Sequence, residues 1–84
     1  MTHTAAVLAD LNAELDAAGV FTGLAADDAE LLVATLSFDV CLRGDPAHSM
    51  RTHAAAVRAG EWPCADRAGV ACALDLAATM IESL

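Results

Sequence analysis

Twenty-one of the 84 residues are alanine, while aromatics number only three, Phe21, Phe38 and Trp62. Alanine loses no side-chain freedom in a helix and heads the helix-propensity scale. Its short side chain also lets helix axes approach closely. Alternating β-branched runs, the usual mark of strands, are absent. The chain is therefore predicted to be all-α, a compact four-helix domain spanning 1–84. At this length only about 60–65% of the unfolded surface is buried, so the core is small.

Punctuation places the helices at about 4–18, 25–43, 46–59 and 63–83. Thr2 or Thr4 can cap the first, and Gly19 suits the left-handed position beyond its end. Leu8, Leu11, Leu15 and Ala18 form its apolar stripe. Phe21, in the Gly19–Gly23 linker, is expected to plug the end of the core. Asp27, Asp28 and Glu30 open the second helix, where the positive end of the helix dipole stabilises acids. Asp45 caps the third helix, Pro46 takes its first position, and Gly60 stops it. Its inner face is Ala47, Met50, Ala54 and Val57, with Arg51 and Arg58 on an outer ridge. Pro63 suits the first turn of the fourth helix. That helix buries Val70, Ala73, Leu74, Ala77, Met80, Ile81 and Leu84 and leaves Asp75, Thr79 and Glu82 wet.

The second helix departs from simple amphipathicity. At about 100° per residue, Leu31, Phe38 and Leu42 share one face, and Leu32, Val33, Leu36 and Val40 share nearly the opposite one. Asp28, Thr35 and Asp39 make a narrow polar stripe. A helix apolar on two sides is either buried among neighbours or shared between subunits. The second case predicts a homodimer or assembly seam at Leu32, Val33, Leu36 and Val40.

Charge is distributed unevenly. Residues 1–42 hold seven acids (Asp10, Glu14, Asp16, Asp27, Asp28, Glu30 and Asp39) and no Lys or Arg. All four bases, Arg43, Arg51, Arg58 and Arg67, lie in the middle of the chain, beside Asp45, Glu61 and Asp66. The net charge is −8. Such a field disfavours nucleic acid and anionic membrane and favours a basic protein partner. Asp10, Glu14, Asp16, Asp28 and Asp39 are the acids expected to form the partner-binding surface. Trp62 is a candidate anchor, because tryptophan is enriched at binding hot spots.

No spacing points to chemistry. His3, His48, His53 and the cysteines show no CxxC, HxxxH or CxxH pattern, so no metal site is expected. His48 reads as solvated and His53, beside Met50 and Val57, as a boundary residue. Cys64 falls in the first turn of the fourth helix, where the dipole favours a thiolate, with Arg67 nearby. A nucleophile also needs a base and an orienting group, and neither stands at a fixed spacing. Phosphate-cradling glycine loops are missing. Acyl carrier proteins share the size, acidity and helix count. Their phosphopantetheine serine sits in an Asp-Ser-Leu-type motif opening the second helix, whereas Ser37 lies between Leu36 and Phe38, Ser49 between His48 and Met50, and Ser83 near the C-terminus. No cofactor is expected.

The N-terminus lacks a basic stretch followed by an apolar one, so no secretory signal is read. No apolar run reaches the roughly 18 residues of a membrane span. Three cysteines without an export signal read as reduced thiols, and the expected compartment is the cytoplasm. The sequence thus predicts a small acidic, non-enzymatic inhibitor or regulator that binds a basic, nucleic-acid-handling protein. It resembles anti-CRISPR proteins and other phage-encoded DNA mimics in class. The alternative expectation is a helical homodimer or assembly subunit.

Overall fold

The computed structural model describes the backbone of residues 2–83 and the side chains of residues 5–83. The side chains of Thr2 and Thr4, the two candidate caps, of His3, which shows no ligand spacing, and of Leu84, expected in the core, lie outside those described. Four helices follow in order: α1 (Thr2–Ala17), α2 (Ala26–Leu42), α3 (Pro46–Arg58) and α4 (Arg67–Glu82). No strand occurs among the described residues, and none of their helices is long and apolar enough to cross a membrane.

The glycine stops act as read. Gly19 has φ 80°, and its N–H donates to Asp16 O while that of Val20 donates to Leu15 O. Gly60 repeats the arrangement at φ 80°, with Gly60 N–H on Val57 O and Glu61 N–H on Ala56 O. Both are left-handed caps that satisfy the last carbonyls of a helix. At the start of α3 the Asp45 carboxylate accepts the His48 N–H at 3.1 Å, with Pro46 behind it.

α3 and α4 form the closest helix pair, because small residues face each other. Ala47 and Ala54 on one side and Ala71, Ala73, Ala77 and Ala78 on the other are buried. Met50, Val57, Val70 and Leu74 fill the remaining space, and Leu11, Leu15, Leu32 and Leu36 cover it from α1 and α2. Fully burying each such leucine is worth about 1.5–3 kcal/mol. Phe21, Leu24 and Trp62 pack half-buried against this core. Ala18, read as part of the α1 stripe, is exposed in the turn instead.

α4 begins four residues later than Pro63 suggests. Its N-cap is Asp66, whose carboxylate accepts the Gly69 N–H at 2.9 Å. Pro63 belongs to the preceding loop, and Cys64 with it, so the dipole argument does not reach that thiol. Cys64 Sγ lies 3.8 Å from the Trp62 carbonyl, to which it donates. The tight cap explains the glycine inside α4. A Cβ at Gly69 would collide with Asp66 Oδ2 and crowd Leu24 Cδ2 at 3.1 Å. Alanine normally improves on glycine in a helix by up to about 1 kcal/mol. Here Gly69→Ala is expected to lower stability by about 1 kcal/mol, the size of a lost N-cap, in urea unfolding.

Candidate functional site

The orientation of α2 decides which acids can meet a partner. Its buried residues are Asp28, Leu32, Thr35, Leu36 and Asp39, which recur at helical spacing and form one face. The polar stripe thus points into the protein. Asp28 is 2% exposed and Asp39 0%, so neither belongs to the acidic surface that the sequence predicted. Leu32 and Leu36 are also 0% exposed and cannot form a dimer seam, because they share the inner face with those acids. Val40 is half-buried, and Val33 alone of the predicted seam is exposed.

Each buried carboxylate has structural partners. Asp28 Oδ1 accepts the Ala65 N–H at 3.0 Å, and Oδ2 accepts the Asp66 N–H at 2.9 Å. It ties the loop before α4 to the start of α2, directly behind the Asp66 cap. Asp39 Oδ1 accepts the Ser49 hydroxyl at 2.7 Å, and Oδ2 faces His53 Nδ1 at 2.9 Å. A carboxylate only accepts, so Nδ1 carries the proton. The Trp62 ring lies over His53 with centroids 5.0 Å apart. Thr35 returns its hydroxyl to Leu31 O at 2.7 Å.

The Asp39–His53 pair resembles the orienting half of a catalytic triad, but Ser49 bonds the carboxylate rather than the imidazole. Its hydroxyl is therefore not poised as the nucleophile of that base. His53 and Ser49 reach a shallow groove of about 360 Å³ that Arg43, Asp45, His48 and Thr52 also line. Among the described residues no three His, Cys, Asp or Glu side chains are grouped to hold a metal ion. Cys41, Cys64 and Cys72 are free thiols.

The bases are engaged elsewhere. Arg51 makes a two-pronged contact with Glu82, Nη1 to Oε2 at 2.8 Å and Nη2 to Oε1 at 2.7 Å. That hydrogen bonding raises the Arg51 pKa and lowers that of Glu82. Arg58 Nη1 meets Asp75 Oδ2 at 2.8 Å, and the same hydrogen bond raises its pKa. Arg43 stands over Phe38, 4.9 Å from the ring centroid. The guanidinium of Arg67 lies against Gly60.

Comparison with known proteins finds no matching family model, no matching curated protein and no matching solved structure. The site therefore stands on its own residues.

Of the predicted acids, Asp10, Glu14 and Asp16 remain at the surface, all on α1. None is within ion-pair distance of a base among the described residues. Asp10 and Glu14, one turn apart, line a groove of about 570 Å³ between α1 and α4, with Ala13, Thr79, Met80 and Ser83. Two carboxylates beside Met80 and Ala13 suit a long basic side chain, whose charge would meet the acids while its methylene stem covers the apolar wall. Asp16 lies on the other flank of α1, across the exposed Ala13 and Ala17.

Proposed function

We propose that this is a non-enzymatic binding protein that docks the acidic side of α1 on a basic protein partner. The observation that supports the reading is the separation of charge. Asp10, Glu14 and Asp16 are exposed with no ion-pair partner among the described residues, whereas Arg51 and Arg58 pair with Glu82 and Asp75. Unpaired surface acids raise the rate of encounter with a basic partner and keep other acidic surfaces away. A protein that handles nucleic acid presents such a basic surface, and an acidic helix that occupies it acts as an inhibitor or regulator. In this reading the protein belongs with the small acidic inhibitors that stand in for DNA.

Capture of the host's proteins on the immobilised chain, washed across a salt series, tests the idea. Raising ionic strength from about 0.1 M to 1 M shortens the Debye length from about 10 Å to about 3 Å. A nucleic-acid-binding protein retained at the low end and released at the high end is the expected result. A partner equally retained at both ends would exclude the electrostatic mechanism.

A further inference from the structure

With its polar stripe turned inward, α2 presents an apolar face to the outside. Val33, Phe38 and Leu42 are 40%, 42% and 70% exposed, and all three belong to this helix. At about 100° per residue, Val33 borders one side of a strip made of Glu30, Ala34, Ser37 and Cys41, and Phe38 and Leu42 border the other side, nearly opposite Val33. Ala34, Ser37 and Cys41 are small, so another helix can approach at short range between the larger side chains.

The ends of this face carry opposite charge. Asp27 and Glu30 are exposed at its N-terminal end. At its C-terminal end stands Arg43, and its position over the Phe38 ring places the guanidinium on this same face. Turned round, such a surface sets Arg43, with the exposed Asp45 two residues beyond it, against Asp27 and Glu30 of a second copy. It is less suited to a uniformly basic partner, which Arg43 would repel.

We propose that this face is the seam of an antiparallel homodimer, in which α2 of a second copy of the chain packs against it about a twofold axis beside Ser37. In that register Arg43 of each copy meets Asp27 and Glu30 of the other. Leu42 meets Leu31, Phe38 lies over Ala34, and Cys41 faces Val33. The contact is isologous, as twofold interfaces are, and the two helix dipoles oppose each other favourably. A parallel pair would instead set Glu30 against Glu30 and Arg43 against Arg43. The α1 acids lie outside this seam, so the dimer does not depend on the binding proposal, and it would display two acidic α1 faces at once.

Sedimentation equilibrium of the full chain under reducing conditions tests the seam. A concentration-dependent rise toward twice the single-chain mass of 8.6 kDa is expected. Leu42→Asp should leave a monomer. Leu42 is largely exposed, so an unchanged helical circular dichroism spectrum will confirm that this variant folds. Arg43→Glu should weaken association about tenfold or more, and Glu30→Arg added to it should restore much of the loss. With Cys41→Ser, Cys64→Ser and Cys72→Ser to remove the native thiols, Ser37→Cys should oxidise to a covalent dimer. A wild-type chain that stays monomeric up to about 1 mM, or a dimer indifferent to Leu42→Asp, would overturn the proposal. Failure of the Glu30→Arg, Arg43→Glu pair to rescue would overturn the antiparallel register.

Discussion

Replacing Asp39 by alanine is expected to cost about 3–5 kcal/mol of stability, because two hydrogen bonds to a charged acceptor, worth about 1.5–3 kcal/mol each, are lost. The carboxylate is 0% exposed and serves two donors, the Ser49 hydroxyl and His53 Nδ1–H. Removing it leaves both without an acceptor at the junction of α2 and α3. A domain of this size has a total stability of only about 4–13 kcal/mol, so the variant should be partly unfolded at 37 °C. The penalty reflects orphaned partners more than the worth of the cluster. Replacing all three members with apolar residues, Asp39→Leu, Ser49→Ala and His53→Leu, should therefore recover much of the loss. Urea unfolding of the single and triple variants separates the two cases. A single variant within about 0.5 kcal/mol of wild type, the range of ordinary surface changes, would mean that the carboxylate is solvated rather than buried.

Asp28→Ala is the second large effect, at about 3 kcal/mol. Its two oxygens accept backbone N–H groups of Ala65 and Asp66, and hydrogen bonds to a charged acceptor are worth about 1.5–3 kcal/mol each, partly replaced by water after removal. The change reaches beyond the contact itself. Asp66 caps α4, so freeing its backbone loosens the start of that helix as well. Asp28→Asn keeps one good acceptor and should cost about half as much. Amide exchange gives the distinctive readout: Ala65, Asp66 and Gly69 should lose protection in Asp28→Ala, while the middle of α3 keeps it. Uniform loss across all four helices would instead indicate global destabilisation without a local anchor.

The helical architecture was legible because its signals are local. Gly19, Gly60, Asp45 and Pro46 act on the backbone within a few residues, and the α3 face of Ala47, Met50, Ala54 and Val57 repeats without interruption. α4 was misplaced because Pro63 is compatible with a first helical turn, while the real cap, Asp66, is selected by a contact with Asp28 from 38 residues away. The same long-range logic hid the inner face of α2. Counting Asp28, Thr35 and Asp39 as polar put them outside. On a helical wheel they sit beside Leu32 and Leu36, and a buried acid there requires donors from other elements. One hint was available. His53 shares the inner side of α3 with Met50 and Val57, and a polar ring there needs a polar partner. Nothing in the sequence named Asp39 as that partner, since the pairing depends on how α2 and α3 cross.

The acids of residues 1–42 divide in two: Asp28 and Asp39 are buried and hold the fold, and the exposed acids of α1 are the ones we propose for contact with a partner. The most direct test compares capture of the host's proteins by wild type and by Asp10→Asn, Glu14→Gln, Asp16→Asn at low salt, with circular dichroism to confirm equal helicity. The account predicts that the neutralised chain keeps its fold and loses the basic protein that wild type retains. Retention of the same protein, to the same salt concentration, would show that binding does not pass through the α1 acids.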